Sequence, residues 1–268
     1  MRLPPLPTLL AQIALLGVVL LLLVRLGWGW RVAAAALTLI ACTLAGLLAA
    51  DLFSAYPFVV RLLGAAAVLL FVTLLGLPLA LRFSSWAGGA GEITLLWSLM
   101  LLACVVRFAG TLNPTFGGQD QFLHLKLLRE VTEGQLIHAV VASEFGGGLA
   151  LYPPTTYLAL APGRLLIFDP VALLQGGLAL FDGIQALLVA LLARRLGGNR
   201  QAGRMALLLY AGSQTAFTAM SYGFSAQIFG QCLVAPVALA LMADEPPLSR
   251  RAWLAAALFL LLAVASHV

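Results

Sequence analysis

Long apolar runs constrain this chain more than any motif does. About 18 consecutive apolar residues form a helix that crosses a bilayer, and backbone that faces lipid must satisfy its own hydrogen bonds, as a helix does. The chain is 62% hydrophobic and 9% charged, with a mean hydropathy of +1.04. We therefore expect an all-α fold, a polytopic transmembrane bundle of about 8 spans, and exclude a soluble enzyme. The predicted spans are residues 8–24, 32–50, 59–81, 93–109, 170–192, 205–220, 227–242 and 252–268.

The basic residues predict an orientation. The formal net charge is +5, but the arginines stand at the ends of apolar runs rather than on one solvated face, which excludes nucleic acid as a partner. The positive-inside rule places the loop with Arg194, Arg195, Arg200 and Arg204 in the cytoplasm. Segment 110–169 then lies outside. We expect a multi-pass protein of the plasma (inner) membrane, in contact with the lipid bilayer, with the loop 110–169 on the extracytoplasmic side.

Cysteine and metal-binding patterns are uninformative. Cys42, Cys104 and Cys232 lie inside apolar runs without CxxC or Cys/His spacing, so we interpret them as small buried hydrophobes. The chain has no acidic pair of the DxD type, no phosphate loop and no GxSxG elbow. The sequence predicts no metal site and no definite cofactor; a divalent cation stays open, without a motif that supports it.

Segment 110–169 is the one long connection between predicted spans, and connections of that length are uncommon unless functional or disordered. From Asp120 to Glu133, six apolar residues form a helical stripe opposite charged ones: Phe122, Leu123, Leu125, Leu127, Leu128 and Val131. Gly134 supplies a stop signal. We predict an outer-face amphipathic interfacial helix whose apolar side faces lipid or the bundle. Residues 150–168, interrupted by Pro162, are predicted to be a short re-entrant or peripheral element, with a full crossing left open.

Asp120 is the leading candidate for chemistry. It follows Gly117 and Gly118, which allow close approach of a ligand, and His124 comes one turn later on the same helix face. A carboxylate so placed can act as general base on a hydroxyl. The competing interpretation is that Asp120 only caps the helix. His124 is equally compatible with an interface residue.

Other charged residues leave two interpretations each. Lys126, Arg129 and Arg164 could bind a lipid-linked phosphate just above the membrane, or extend along the surface toward lipid headgroups. Asp182, in LALFDGIQALL, is a carboxylate in mid-span. Intramembrane carboxylates favour a functional role, but a protonated or hydrogen-bonded packing residue beside Gln185 is the alternative.

The order of these features resembles the GT-C superfamily, polytopic glycosyltransferases that use polyprenyl-phosphate-linked sugars. The features are an aspartate that opens an outer-face helix (Asp120, with His124), a glycine that ends it (Gly134), a Tyr-Pro-Pro element at 152–154, and a span that ends in ARRLG at 193–197. The resemblance covers residues 93–268, the GT-C-like membrane core that includes outer loop 110–169. Residues 1–92 would be an N-terminal three-span addition. Because the chain ends within an apolar run, we expect its C-terminal part to be missing.

The resemblance implies an inverting transfer of a sugar from a polyprenyl-phosphate donor to a hydroxyl of an unknown acceptor. Asp120, with His124 beside it, would be the general base, and Tyr152 would join Lys126, Arg129 and Arg164 in binding the donor phosphate. His267 would lie at the same surface and could line the pocket or be an interfacial residue. The alternatives are a transporter or lipid flippase that uses Asp182, and a non-catalytic membrane protein.

Overall fold

The computed structural model describes residues 57–110, 118, 120–141, 149–165, 169–223, 225–242 and 249–266. Within these ranges the chain is helical apart from one short strand pair. The elements are α1 (Pro57–Arg82), α2 (Ser84–Ala87), α3 (Ala90–Ala109), α4 (Asp120–Thr132), β1 (His138–Val141), β2 (Leu149–Tyr152), α5 (Thr155–Leu160), a 3₁₀ turn (Ala161–Leu165), α6 (Pro170–Gly197), α7 (Arg200–Ala211), α8 (Gln214–Tyr222), α9 (Ser225–Cys232), α10 (Val234–Leu241) and α11 (Arg250–Ser266).

Two antiparallel helices, α3 and α6, form the centre of the structure. Phe108, near the end of α3, lies against Gly176 near the start of α6, and Cys104 lies against Gly183 one to two turns further along. Small residues on α6 allow this approach, since a side chain added at Gly183 would collide with the Cys104 sulfur. The close contact brings polar side chains of the two helices within hydrogen-bonding reach.

The span prediction is confirmed in part. Two described helices, Ala90–Ala109 and Pro170–Gly197, are long and apolar enough to cross a membrane, and they match the predicted spans 93–109 and 170–192. Predicted span 59–81 lies within α1, and 252–268 largely within the 17-residue α11. Spans 8–24 and 32–50 lie outside the described residues.

Two predicted spans are not single straight helices. Residues 205–220 divide between α7 and α8, because Gly212 ends the first helix and the Ser213 hydroxyl caps the second by accepting from the Ala216 N–H. Residues 227–242 divide at Leu233 between α9 and α10. Twelve residues, as in α7, extend about 18 Å, too short for a bilayer core. The described structure therefore does not support the prediction of about 8 spans.

The amphipathic helix predicted from Asp120 is present as α4 and ends at Thr132, followed by Gly134 in the left-handed region at φ 94°. Of its two predicted environments, α4 takes the bundle. Leu125, Leu128 and Val131 are buried in a core shared with α5, α6 and α9. Phe122 departs from the predicted apolar stripe, because 76% of it is exposed on the opposite face.

The described part of segment 150–168, residues 150–165, is made of short pieces. β2 pairs antiparallel with β1, with His138 opposite Tyr152, and is followed by the six-residue α5 and the 3₁₀ turn. Each piece is too short to cross a bilayer, which agrees with a peripheral element. The strand pair was not expected from the apolar pattern.

The charged residues separate towards the two ends of the bundle. Arginines of α6 and α7 contact the α2–α3 connection: Arg194 donates to the Ala87 carbonyl, Arg200 donates to the Gly88 carbonyl at 2.7 Å, and Arg204 forms a bidentate pair with Glu92. We call this the arginine end. α4 lies at the other end, where Gln121 accepts a hydrogen bond from Gln175 near the start of α6, and the end of α11 contacts α5.

Candidate functional site

Asp120 is the first residue of α4 and its side chain is exposed. A carboxylate in the first helical turn is stabilised by the free N–H groups and the dipole of the helix. Gly118, two residues earlier, has a positive φ of 57°, and a Cβ there would lie 3.0 Å from the backbone oxygen of Tyr222. The glycine predicted to allow close approach is thus required by backbone conformation and by a neighbouring chain segment. Asp120 itself is open to a ligand from solution.

His124 lies one turn below Asp120 and is buried, with 4% of its surface exposed. Its Nδ1 is 2.5 Å from the hydroxyl oxygen of Tyr157, and its ring lies edge-on to that of Tyr152, with centroids 5.9 Å apart. Burial lowers the pKa of His124 to about 4, although the nearby Asp120 carboxylate raises it. The imidazole is therefore neutral at physiological pH.

Tyr157 completes what we call the His124 cluster: His124, Tyr152 and Tyr157. It is fully buried, and burial raises the pKa of its hydroxyl far above the usual range. The charge of Tyr152 and a hydrogen bond with Tyr152 raise this pKa further. Tyr157 therefore keeps its proton. The cluster joins α4, the end of β2 and α5, so three separate elements of the predicted outer loop meet at one buried imidazole. Tyr152 was a predicted site residue; Tyr157 was missed, although it lies in the same YPPTTY stretch.

Two of the predicted phosphate-binding cations, Lys126 and Arg129, lie on the exposed side of α4, away from the buried His124. Lys126 is largely exposed and pairs with Glu130 at 3.7 Å, and Arg129 is exposed on the same side of α4. Nine residues separate Arg129 from Asp120, which in an α-helix means about 13 Å along the axis and the opposite face. The helix geometry therefore places Arg129 far from Asp120, although the sequence analysis predicted both residues in one site.

Arg164, in the 3₁₀ turn, is half-buried beside other charges. Burial lowers the pKa of its guanidinium, the Asp169 carboxylate raises it, and the nearby Arg129 lowers it. Arg164 is therefore within electrostatic reach of both Asp169 and Arg129. Asp169 also caps α6 by accepting from the Val171 N–H at 3.1 Å. Its carboxylate offsets part of the positive charge that would attract an anion to Arg164.

Asp182 lies between α3, α6 and α7 and is fully hydrogen-bonded. Arg107 donates from Nε to Oδ2 at 2.9 Å, and the Tyr210 hydroxyl donates to Oδ1 at 2.9 Å. Arg107 also donates to the Tyr210 carbonyl at 3.2 Å. Of the two interpretations of Asp182, these contacts favour a packing role, but with Arg107 and Tyr210 as partners rather than Gln185. We call these three residues the Arg107 cluster.

The sequence also contains a pattern that predicts Arg107 as a partner of Asp182. An arginine near the end of predicted span 93–109 is as unfavourable in an apolar environment as the aspartate of span 170–192, and opposite charges in adjacent spans tend to pair. Glu92 and Arg204 form a second such pair at the arginine end. Gln185 is also buried, and its side-chain oxygen has no hydrogen-bond partner within the part of the chain that the structure describes.

A small apolar pocket of about 20 Å³ lies between α1, α3 and α6. None of its lining residues is a predicted site residue: Val68, Leu69, Cys104, Phe108, Gly176, Ala179 and Leu180. Within the described ranges no three His, Cys, Asp or Glu side chains are grouped as metal ligands. His267, predicted to line the pocket, lies outside the described residues.

Comparison of the chain with protein-family models, with characterised proteins and with solved structures gives no match. The functional assignment therefore depends on the residues and their geometry.

Proposed function

We propose that this is a multi-pass integral membrane glycosyltransferase of the GT-C type, which transfers a sugar from a polyprenyl-phosphate donor to an acceptor hydroxyl at the outer membrane face. The observation that carries the proposal is an exposed aspartate at the start of α4, above a buried neutral histidine. That pair lies at the end of the bundle opposite the arginine end. We retain about 8 spans as part of the proposal.

Exposed apolar surface supports a membrane location. The face of α11 exposes Trp253, Leu254, Leu258, Leu261 and Val264, each by more than half. α3 exposes Leu102, Val105 and Val106 by about half, although the opposite side of the same helix is buried. Apolar patches of this extent on a soluble monomer are unfavourable and indicate contact with lipid or with another protein. Both helices are mainly apolar, with their charged residues near the helix ends, and this favours lipid.

The charge distribution supports the orientation. The arginine end carries Arg194 and Arg195 in the last turn of α6 and Arg200 and Arg204 in the first two turns of α7. Arg195 lies over the Trp86 ring at 5.7 Å. Clustered arginines and an interfacial tryptophan are typical of the cytoplasmic boundary of a membrane protein. The end with α4 would then face outward, where a lipid-linked donor presents its sugar.

In the proposed reaction, the acceptor hydroxyl oxygen attacks the anomeric carbon of the sugar while Asp120 removes the hydroxyl proton. The bond between the anomeric carbon and the phosphate oxygen breaks, and polyprenyl phosphate leaves with the bonding electrons. Of the predicted cations, we assign Arg164 to stabilise the charge that develops on the phosphate. The leaving phosphate oxygen and the attacking hydroxyl oxygen are both bonded to the same anomeric carbon in this step. Arg129, which projects from the opposite face of α4 about 13 Å along the axis from the base, is too distant for that role. Lys126, which pairs with Glu130 on the exposed face, contributes less.

The test is Asp120→Asn in native membranes. We expect sugar transfer from a panel of radiolabelled polyprenyl-phosphate sugars to fall by about 10²- to 10⁴-fold, the usual contribution of a general base. Glu133→Gln is the matched control: it removes an exposed carboxylate from the other end of α4 and should leave transfer unchanged. Wild-type transfer by the Asp120 variant would refute the assignment. For the transporter alternative, no observation requires movement of Asp182, because its ion pair with Arg107 accounts for its burial.

A further inference from the structure

Three arginines contact three consecutive residues in the turn between α2 and α3. The contacts are Arg195 over the Trp86 ring at 5.7 Å, Arg194 donating to the Ala87 carbonyl, and Arg200 donating to the Gly88 carbonyl at 2.7 Å. Because the three contacted residues are adjacent in the chain, the guanidiniums lie close together although like charges repel one another. The turn therefore concentrates positive charge at one place on the arginine end.

The backbone of this turn requires glycine. Gly88 has a positive φ of 86°, and a Cβ at this position would collide with the guanidinium of Arg194. A Cβ at Gly89, in contrast, would meet no described atom within 4 Å. One side of the turn is therefore occupied by arginine, and the other side is open to a ligand.

The positive charge of the arginine end is only partly neutralised. Glu92 forms a bidentate pair with Arg204, at 2.8 and 2.5 Å. Arg195 and Arg200 are exposed and form no ion pair among the described residues. An aromatic ring and a backbone carbonyl orient these two guanidiniums without cancelling their charge. A guanidinium carries several N–H donors, so donors remain for a phosphate, which arginine binds through paired hydrogen bonds.

Exposed apolar side chains continue from the arginines along α7. Leu208 follows Arg204 by one helical turn on the same face, and Met205 and Leu209 lie beside it. All three apolar side chains are exposed by about half or more. The surface thus changes from cationic to apolar along one helix, and a phospholipid has the same arrangement, a phosphate followed by acyl chains. A soluble anion would cover the charge and leave the apolar side chains exposed.

We propose that the arginine end binds an anionic phospholipid, with the lipid phosphate at Arg195 and Arg200 and the acyl chains along Met205, Leu208 and Leu209. The inference rests on the membrane location in the proposed function and is independent of sugar transfer. Net negative charge is required, because a zwitterionic headgroup would place its own cation beside the guanidiniums. Basic groups at the cytoplasmic surface attract anionic lipids, and here the contacts with the α2–α3 turn fix the positions of two of them.

The experiment measures contact between brominated lipids and Trp86. The full chain is reconstituted in phosphatidylcholine vesicles that contain a brominated lipid, either phosphatidylglycerol or phosphatidylcholine, at equal mole fraction. Bromine quenches tryptophan fluorescence on contact, and the Trp86 component is the signal that Trp86→Phe removes. We expect phosphatidylglycerol to quench this component more strongly. Arg195→Gln and Arg200→Gln should each lower the ratio of the two association constants about fivefold.

Arg251→Gln is the matched control. Arg251 is exposed in the first turn of α11, whose last turn contacts α5, so it also lies towards the end of the bundle opposite α4. We expect this variant to keep the wild-type ratio. A loss equal to that of Arg200→Gln would mean that diffuse surface charge attracts the lipid, and would overturn the site. Since Arg195 and Arg200 are both exposed, one variant remains informative should the other fail to fold.

Three further outcomes would overturn the proposal. Equal quenching by the two lipids in the wild-type protein would exclude selection for negative charge. Displacement of the brominated lipid by soluble glycerol phosphate would mean that a free phosphate suffices. Absence of quenching by either lipid would contradict the membrane location on which the inference rests. The assay contains no sugar donor, so the outcome for Asp120→Asn in the transfer assay does not affect its result.

Discussion

The Arg107 cluster and the His124 cluster are both buried polar groups, but the protein stabilises them differently. In the Arg107 cluster, which joins the two span-length helices to α7, an aspartate and an arginine are paired and every carboxylate oxygen has a donor. In the His124 cluster the buried groups are neutral, and the charge stays on the exposed Asp120. The comparison distinguishes a buried carboxylate that is paired within the fold, Asp182, from an exposed carboxylate that a ligand can reach, Asp120.

The largest effect should come from breaking the ion pair. Arg107→Met leaves the Asp182 carboxylate buried with one donor, and removing one partner of a buried pair costs about 3–5 kcal/mol. The measurement is unfolding of the detergent-solubilised protein by SDS titration. The double variant Arg107→Met with Asp182→Leu should recover most of the loss, since it leaves no unpaired charge. A double variant no more stable than the single one would show that packing, rather than charge, holds this cluster together.

The next effect is a pH dependence that belongs to the His124 cluster. The folded pKa of about 4 lies below the ordinary value of 6.5, so in this interval the unfolded chain binds more protons than the folded one. The contribution of neutral His124 to the free energy of unfolding is complete above pH 6.5 and is lost as the pH falls towards 4. This loss lowers the free energy of unfolding by about 3 kcal/mol. Unfolding measured at pH 7, 5.5 and 4 tests this, with His124→Gln as the reference that should lose less stability on acidification.

The smallest effects compare the two tyrosines directly. Tyr210→Phe removes a hydrogen bond to a charged carboxylate and should cost about 1.5–3 kcal/mol, whereas Tyr157→Phe removes a bond between neutral groups and should cost about 1 kcal/mol. Both variants keep the ring, so packing is matched. Equal losses in the same unfolding assay would mean that the charge of Asp182 is already neutralised, and the contrast between the clusters would fail.

The continuous apolar runs predicted the long helices, because a helix that is buried or in contact with lipid along its whole length requires apolar residues along that length. Apolar periodicity alone did not predict the break at Gly212 and Ser213. A glycine followed by a capping serine is a recognised signal for the end of one helix and the start of the next. Because apolar residues continue on both sides of this signal, residues 205–220 were predicted to be one span. Asp120, His124 and α4 could be predicted because they share one local helical repeat. Arg107, Tyr157 and Tyr210 reach these side-chain partners across 28 to 75 residues of chain, and such pairings follow from the tertiary packing rather than from local pattern.

The early end of α7 has a consequence for how the protein is assembled. The last carbonyls of a helix have no partner within it, and the carbonyl of Tyr210 accepts from the Ser213 N–H at 3.0 Å and also from Arg107. A helix that carries an arginine is poorly suited to lipid by itself, and the end of α7 supplies an acceptor for that guanidinium. In a bilayer, α3 would therefore be most favourable when packed against α7, and a chain truncated before residue 210 would lack the carbonyl that Arg107 contacts.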